Sequence, residues 1–380
     1  MCFARETSVA GAARLQSFPG PHICYAGAGA CPVGGIAGSG NGGPDVSEIA
    51  PQLSILVISY NTREMTLACL RSVVAETALP YELIVVDNGS SDGSAAAIAA
   101  EFPAAVLLAE RANHGFAGAN NLAAKIARGA YFLLLNPDTV ILDGAIDRLA
   151  AFAERAPQAR IWGGRTLFGD RSLNPASCWR RMSLWSICCR SSGLARIFSR
   201  SGLFNAEAYG GWDRDSERQV DIVSGCFFLI SRADWAALGG FDPAFFMYGE
   251  EADLCLRAAR DLGAAPRVTP EATIIHYGGA SERVRADKMV RLLRAKGELI
   301  RRHIPGWQRP LALAMFRLWP LSRRIAFDVL VPVLALSGRR GPGRRGAGDA
   351  RAVWRDIWTR RAEWQNGLAG QRGAAGRETP

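Results

Sequence analysis

The stretch YFLLLNPDT at residues 131–139 decides the fold, because it joins a buried strand to a polar turn. Its five leading apolar residues are typical of a strand buried on both faces, as in the parallel sheets of α/β proteins. Pro137 ends the strand, since proline has no N–H to donate and restricts the residue before it. Asp138 is therefore predicted just past the carboxyl end of a central strand, the edge at which open α/β sheets bind ligands. From position alone, Asp138 is either a turn residue or a metal and phosphate ligand.

The strands before this stretch alternate with helices. Apolar, β-rich segments at 53–61, 82–86 and 105–108 precede the strand at 133–135, and helical patterns separate them. Four such alternations predict a parallel sheet with right-handed crossovers. Each strand ends in a polar loop on the same edge of that sheet, which predicts a nucleotide cleft. The polar residues expected there are Asn61, Asp87, Asn88, Ser90, Asn113, Asn120, Asn136 and Asp138.

The second half of the chain is less regular. Residues 170–220 combine tryptophans with many arginines, and this pattern fits either an acceptor-binding insert or an ordinary packed segment. An apolar segment at 220–230 is predicted as one strand, with Gly225 inside it to allow close approach of a ligand. A last strand near 272–275 ends at His276, which is either a satisfied core residue or a phosphate or metal ligand.

A cluster of acids follows the aromatic run FFMYG at 245–249. Gly249 precedes a helix predicted to run to Leu262, so that Glu250, Glu251 and Asp253 lie in its first turn. Acids there stabilise any helix through its dipole. The same positive helix end would keep a carboxylate ionised, as a general base requires.

The overall composition is that of a globular protein, but the charge is unevenly distributed along the chain. The 380 residues are 49% hydrophobic and 21% charged, which fits a soluble globular protein of one or two domains. The net charge is +10, yet residues 281–380 hold 22 Lys and Arg against 8 Asp and Glu, which leaves −4 for the remainder. This asymmetry indicates an anionic partner, either nucleic acid or lipid headgroups. The apolar segment 311–336 is interrupted by arginines and Asp328, which favours a helix lying on a membrane over one crossing it.

Taken in order, these stretches resemble family 2 glycosyltransferases, the inverting enzymes with the GT-A fold, and most nearly their rhamnosyltransferase branch. The matching motifs cover about residues 53–300 and are ISYN at 58–61, VDNGS at 86–90, NHGFA at 113–117, LNPD at 135–138, FMYGEEADL at 246–254 and HYGG at 276–279. The resemblance implies an α/β fold with a GT-A type, mainly parallel nucleotide-binding sheet flanked by helices. The basic C-terminal part would add a helical appendage that associates with a membrane.

The resemblance also implies roles for individual residues. Asp138 would bind Mg²⁺ or Mn²⁺ on the donor diphosphate together with His276, while Asn136 replaces the first acid of the family's D-x-D motif. Glu251 would be the base that deprotonates the acceptor hydroxyl, with Glu250 and Asp253 as rivals. Asp87 would hold the nucleotide base or ribose. The other implied donor-binding residues are Tyr60, Asn61, Asn88, Ser90, Asn113, Gly115, Phe116, Asn120 and Asn136, and the implied acceptor-binding residues are Trp212, Ser224, Gly225, Phe246 and Tyr248.

We therefore expect an enzyme that moves rhamnose or another hexose from a dTDP- or UDP-sugar to a lipid-linked or polysaccharide acceptor. The expected organisation is a disordered leader at 1–50, a nucleotide-sugar-binding half at 51–150, an acceptor-binding and catalytic half at 151–285, basic amphipathic helices at 286–337 and a disordered basic tail at 338–380. The helices would hold the enzyme at the cytoplasmic face of the cell membrane, where their arginines meet anionic headgroups.

Three other functions remain open at this point. A sugar-phosphate nucleotidyltransferase would need a Gly-rich loop with a basic residue after the first strand, whereas Ser59-Tyr60-Asn61-Thr62 stands there. A nucleic-acid-binding protein would use the basic C-terminal part but would leave the acids at 250–253 without a role, so no nucleic acid is expected as a partner. A nucleotide-sugar-binding protein without catalytic activity would explain Asn136 and Glu251.

Overall fold

The structure of the protein is a computed structural model, which describes residues 51–278, 285–336 and 342–370. The leader expected at 1–50 lies outside the described residues. The same holds for the second glycine of the HYGG motif and for residues 338–341 and 371–380 of the expected tail.

Four parallel strands form the first half of the main sheet, in the order β3, β2, β1, β4. They are β1 (Leu53–Ser59), β2 (Tyr81–Asn88), β3 (Val106–Glu110) and β4 (Tyr131–Leu135). Every residue of β1 is buried, because helices cover both faces of the sheet. Ser59 pairs with Asp87 and Val57 pairs with Leu135, so the strands end together at one edge. The connecting helices are α1 (Arg63–Glu76), α2 (Ser94–Glu101) and α3 (Gly115–Ile126).

Later strands extend the same sheet beyond β4. The remaining strands are β5 (Thr139–Ile141), β6 (Ile161–Leu167), β7 (Leu173–Asn174), β8 (Cys178–Trp179), β9 (Arg218–Gln219), β10 (Ile222–Val223), β11 (Phe227–Ser231) and β12 (Arg267–His276). The order continues from β4 through β11, β6 and β12 to β5. β11 runs antiparallel to both of its neighbours, whereas β6 and β12 are parallel to each other. The predicted α/β fold is thus confirmed, and the two expected halves share one continuous sheet.

Alternation along the strands gives the sheet two hydrophobic cores. Leu56 and Ile58 face one core, which α3 and the helix α8 (Glu250–Leu262) cover. Ile55 and Val57 face the other core, against α1 and α4 (Ala145–Arg155). Between β8 and β12 lie three more helices, α5 (Leu184–Ser192), α6 (Leu194–Ile197) and α7 (Arg232–Leu238).

The single strand predicted over 220–230 is wrong. The chain forms β10, which pairs with β8 in a separate small sheet, and then leaves it at Ser224 to enter the main sheet as β11. The Ser224 N–H donates to the carbonyl of Ser177 at 2.9 Å, and the carbonyl of Cys226 accepts from the Asn136 N–H at 3.1 Å. The strand is interrupted because its residues change hydrogen-bonding partners at Gly225, which places Gly225 between the two sheets.

The C-terminal part is a helical layer rather than an appendage followed by a tail. It consists of α9 (Arg285–His303), α10 (Arg309–Leu336), α11 (Pro342–Thr359) and α12 (Arg361–Trp364). The prediction of a disordered tail is wrong for residues 342–370, since the buried side chains of Trp354, Ile357 and Trp364 join a core with α9 and α10. α9 also contributes Ala295 and Leu299 to the core of the main sheet, so it belongs to the body of the protein. Among the described residues no helix is long and apolar enough to cross a membrane.

Candidate active site

The loop after β2 shapes the expected donor side of the site. Asp87 is 3% exposed, and its Oδ1 is buried without a hydrogen-bond partner in the described chain. The next residue, Asn88, fixes the loop before α3: its Oδ1 accepts from the His114 N–H at 2.9 Å, and its Nδ2 donates to Asn113 Oδ1 at 2.9 Å. Asn113 Oδ1 also accepts from the Gly115 N–H at 2.8 Å. Asn88 and Asn113 therefore hold the loop, while Asp87 has a free oxygen for a ligand.

Asn61 and Ser90 join the loops that follow β1 and β2. The Asn61 N–H donates to Ser90 Oγ at 2.9 Å, and Asn61 Oδ1 accepts from the Ser91 N–H at 2.8 Å. Asn61 has a left-handed backbone, with φ of 51°, a conformation that asparagine tolerates better than most residues. Tyr60 beside it is about one-third exposed, at 36%. The structure brings these predicted residues together, with Asn61 and Ser90 in loop-forming roles.

Asp138 and His276 meet at the other side of the strand ends. Asp138 Oδ1 lies 3.4 Å from His276 Nε2, and Asn136 Nδ2 lies 3.4 Å from the same nitrogen. Burial raises the pKa of Asp138, but the hydrogen bond and charge of His276 outweigh it and lower this pKa below the usual value. Burial lowers the pKa of His276, while Cys226 and Asp138 beside it raise that pKa well above its ordinary value. His276 Nδ1 is buried without a partner in the described chain.

The segment Ser224–Cys226 separates this pair from the acids of α8. Cys226 holds Asn136 through the backbone hydrogen bond described above. A Cβ placed on Gly225 would lie 3.2 Å from the Phe116 ring and 3.8 Å from the Cβ of Glu251. The predicted residues Gly225, Phe116 and Glu251 are thus neighbours, and a larger side chain at 225 would fill the space between them.

The two glutamates at the start of α8 differ in accessibility. Glu250 is 4% exposed and its Oε2 has no described partner, whereas the Glu251 side chain is partly exposed. Burial and the neighbouring charge of Glu251 raise the pKa of Glu250 well above the ordinary value. Burial also raises the pKa of Glu251, against the lowering effect of backbone N–H groups at the helix start and of Lys296. Tyr248 and Gly249 precede these acids with φ of 75° and 90°, a strained approach for the tyrosine.

Asp253 is occupied by structural contacts. Its carboxylate accepts from Arg257 at 2.7 Å and contacts His303 Nε2 at 2.9 Å, and its side chain is 1% exposed. The guanidinium of Arg302 lies 3.5 Å from the same carboxylate and 2.6 Å from the carboxylate of Asp242, so it links the two acids. These contacts fasten α8 to α9, and they leave Asp253 poorly suited to accept a proton from a substrate.

The predicted acceptor-binding residues Phe246 and Tyr248 lie near the other site residues, whereas Trp212 packs elsewhere. The carbonyl of Phe246 accepts from the Phe116 N–H at 2.8 Å, and the Phe246 ring lies against Gly115, where a Cβ would meet it at 2.7 Å. Tyr248 lies under the ammonium of Lys288. Trp212, by contrast, packs edge-on against Tyr209, and the guanidinium groups of Arg214 and Arg218 lie over its ring. None of the described contacts of Trp212 reaches the other predicted residues.

Sequence reasoning missed a buried ion cluster behind Glu251. Glu207 pairs with Lys296 of α9 and, at 3.1 Å, with Arg190 of α5. Burial opposes the ionisation of Glu207, but the two cations hold its pKa well below the ordinary value. A Cβ on Gly249 would lie 3.1 Å from that of Ala295, so α9 places Lys296 next to the start of α8. No sequence signal marks this cluster, because its three members come from three separate segments.

Known proteins that are similar to this chain include several glycosyltransferases. Residues 54–207 match the model of glycosyl transferase family 2. An N-acetylglucosaminyl-diphospho-decaprenol L-rhamnosyltransferase of Mycobacterium tuberculosis is 28% identical over 236 residues, which are 59% of this chain and 76% of that protein. The O-antigen biosynthesis protein RfbC of Myxococcus xanthus is 26% identical over 62% of this chain and 18% of its own. A solved structure of the mannosyltransferase PcManGT from Pyrobaculum calidifontis, in complex with GDP-Man and Mn²⁺, covers 87% of this chain and 89% of its own at 18% identity and a TM-score of 0.48.

The sheet, the polar strand ends and the family match together define a glycosyltransferase. More particularly, residues 54–207 match glycosyl transferase family 2, and the chain is similar to rhamnosyltransferases.

Proposed function

We propose that the protein is an inverting glycosyltransferase that transfers rhamnose or another hexose from a dTDP- or UDP-sugar. The acceptor is a lipid-linked or polysaccharide hydroxyl in bacterial cell-surface glycan synthesis. The relatives support this choice of donor and acceptor. One is a rhamnosyltransferase whose name includes a lipid diphosphate, and another is an O-antigen biosynthesis protein.

One observation carries the proposal. Apart from arginine Nε atoms, the buried side-chain atoms that lack a partner in the described chain are Thr77 Oγ1 and one atom each of Asp87, Asn120, Glu250 and His276. Buried polar atoms are nearly always hydrogen-bonded, so unpaired ones mark positions where a ligand completes the bonding. Four of these five belong to residues that the sequence assigned to the site. Asp87 lies near the end of β2 and His276 at the end of β12, Asn120 lies on α3, and Glu250 begins α8.

Asp138 and His276 fit a divalent cation on the donor diphosphate. A carboxylate and an imidazole that face each other at 3.4 Å can share one ion, and both are accepted ligands of Mn²⁺. Within the described residues no third His, Cys, Asp or Glu joins them, so oxygens of the donor would supply most of the coordination. When bound, Mg²⁺ or Mn²⁺ supplies positive charge that stabilises the leaving nucleoside diphosphate.

Glu251 is the proposed base, because it is the accessible acid at the start of α8. Its carboxylate takes the proton from the acceptor hydroxyl, whose oxygen forms a bond to the anomeric carbon. The bond from that carbon to the diphosphate oxygen breaks with its electron pair on the diphosphate. One displacement from the opposite face inverts the anomeric centre. Glu250 is buried beside it and Asp253 is held by Arg257 and His303, so neither is placed to accept this proton.

We further propose that the protein acts at the cytoplasmic face of the cell membrane as a peripheral protein. The acceptor named for the mycobacterial relative is a lipid diphosphate, and the basic C-terminal helices provide charge for an anionic surface.

Release of nucleoside diphosphate tests the proposal. Purified protein is incubated with dTDP-rhamnose and with UDP-sugars, with Mg²⁺ or Mn²⁺, and with or without lipid extract. We expect one donor to be turned over, and Glu251→Gln to lower the rate by about 10² to 10⁴-fold, the usual contribution of a general base. Glu64→Gln changes an exposed glutamate of α1 and is the matched control, which should keep the full rate. Turnover of no donor, or full activity in Glu251→Gln, contradicts the mechanism; donor binding without turnover would favour the nucleotide-sugar-binding alternative.

A further inference from the structure

One face of α10 carries apolar side chains that the described chain leaves uncovered. Leu311, Leu318 and Ile325 follow one another at intervals of seven residues, and Ile325, Val329 and Val333 at intervals of four. Both intervals keep residues on one side of a helix. Each of the five side chains is more than half exposed. An exposed apolar stripe of this length is a mark of an interaction surface.

The insert between β8 and β9 adds to this stripe. α5 packs along α10, where Ser191 Oγ donates to the carbonyl of Met315 at 2.7 Å and Ser322 Oγ donates to the carbonyl of Ser191 at 2.7 Å. Gly193, at the start of α6, lies against the Arg323 guanidinium: a Cβ added to Gly193 would lie 3.2 Å from Nη1 of Arg323. Arg196 of α6 is close enough to Arg323 of α10 to affect its pKa, and the next two residues, Ile197 and Phe198, are exposed, Ile197 at 72%.

The charge around these apolar residues is mainly positive. Segments 184–206 and 309–327 together contain seven arginines and no aspartate or glutamate, and Asp328, which follows on α10, is paired with Arg324, Arg351 and Arg355. Within the described residues, Arg196, Arg317 and Arg323 have no carboxylate in ion-pair range. Burial and the neighbouring charges of Arg196 and Arg190 lower the pKa of Arg323, as expected where cations gather without a counter-ion. Within the described residues these three arginines therefore lack an anionic partner, which an anionic surface outside the chain can supply.

We propose that the face formed by α6 and α10 docks on an anionic phospholipid membrane, with Ile197, Ile325 and Val329 entering the interface and Arg196, Arg317 and Arg323 contacting lipid phosphates. The inference rests on the membrane location in the proposed function and names the surface responsible. Apolar side chains bordered by arginines match the two layers of a membrane interface, in which acyl chains adjoin anionic headgroups. The helix α5, which packs along α10, is also linked to the site, because its Arg190 shares Glu207 with Lys296 of α9.

Vesicle sedimentation tests the surface directly. The full chain is mixed with phosphatidylcholine vesicles and with vesicles containing phosphatidylglycerol, at low and high salt. We expect binding to the anionic vesicles that weakens with salt. Leu318→Asp with Val329→Asp should lower the partition coefficient at least tenfold. Arg196→Glu with Arg317→Glu should lower it at least fivefold per arginine, since one cation near such a surface contributes about that factor.

Two matched variants keep the test specific. Val74→Asp changes a comparably exposed valine on α1, and Arg148→Glu changes an exposed arginine on α4, so both should bind vesicles as the unchanged protein does. Circular dichroism confirms that each variant is folded. Equal binding by the α10 variants, no binding by the unchanged protein, or a dimer in light scattering that the α10 variants abolish would overturn the inference. Donor turnover is measured on the same samples, so that an unchanged protein that turns over donor but binds no vesicles contradicts the membrane surface alone and leaves the proposed transfer reaction standing.

Discussion

Gly225 and Glu251 face each other across the site, since a Cβ added to Gly225 would lie 3.8 Å from the Cβ of Glu251. This arrangement places the proposed base beside the segment whose next residue, Cys226, holds Asn136 by its carbonyl. A single short segment thus fixes the distance between the proposed base and the proposed cation ligands. That distance determines whether the acceptor hydroxyl can be held on the face of the anomeric carbon opposite the donor diphosphate, as a single displacement requires.

Gly225→Ala should lower activity without unfolding the protein. The new methyl group would lie 3.2 Å from the Phe116 ring, which must shift by a few tenths of an ångström, and the backbone at 225 is not in the left-handed region. We expect kcat/KM to fall roughly tenfold, because small displacements of reacting groups are costly. Steady-state kinetics and a thermal melt measure the two effects. Gly306→Ala has no atom within 4 Å of its new Cβ and should leave both values unchanged.

The Lys296 ammonium should set the pH at which the proposed base becomes active. Burial raises the pKa of Glu251 and Lys296 lowers it. Removing the cation in Lys296→Met therefore shifts the acid limb of the kcat/KM profile to higher pH, while Lys296→Arg keeps it near its original position. The measurement is kcat/KM against pH for the three proteins. Lys125→Met removes an exposed lysine of α3 as a control, and a limb that stays in place in Lys296→Met would contradict the assignment.

Asp253 should prove structural. Asp253→Asn leaves Arg257 and His303 without their buried counter-ion, which costs about 3 kcal/mol of unfolding free energy by analogy with other broken buried pairs. Burial raises the pKa of Asp253, but hydrogen bonds from His303 and Arg257 outweigh it and lower this pKa below 3.8. The stabilisation is therefore fully present above the unfolded pKa and is lost as the pH falls through the folded one.

Urea unfolding of the unchanged protein and of Asp253→Asn, at neutral pH and at about pH 3, separates these contributions. The difference in unfolding free energy should be largest at neutral pH and should narrow in acid. The acid limb of kcat/KM should stay where it is in the folded variant, since Asp253 is not the proposed base. A variant of normal stability that has lost all turnover would instead make Asp253 a candidate for the base.

The residues at the strand ends could be predicted because their positions follow from local pattern. Once β1, β2 and β4 are assigned, the parallel sheet itself brings Asn61, Asp87 and Asp138 to one edge. Their individual roles could not be predicted, since whether a side chain binds a ligand or a loop depends on contacts across the chain. Asn61 illustrates this, because its amide oxygen is occupied by the Ser91 N–H.

Contacts between distant segments account for most of what the sequence left out. Trp212 fits an acceptor site by composition, yet the structure stacks it on arginines away from the other predicted residues. Lys296 lies in a basic helix that the charge pattern assigned to the membrane, whereas its partner Glu207 lies in the irregular insert. Neither pairing has a periodic or compositional signal. The break at Gly225 is similar, since an apolar run does not show where its hydrogen-bonding partners change.

The C-terminal helices should be needed for stability, because they complete a core that α9 and α10 leave open. Trp364 is 1% exposed, its ring meets Phe316 edge-on at 6.4 Å, and its Nε1–H donates to the carbonyl of Ile357 at 2.9 Å. Trp364→Ala should therefore lower the unfolding free energy by about 3 to 5 kcal/mol, the usual cost of removing a buried tryptophan. Trp307→Ala removes the same side chain from an 82% exposed position and should change it little. Equal melting temperatures for the two variants would return residues 342–370 to the role of a dispensable tail.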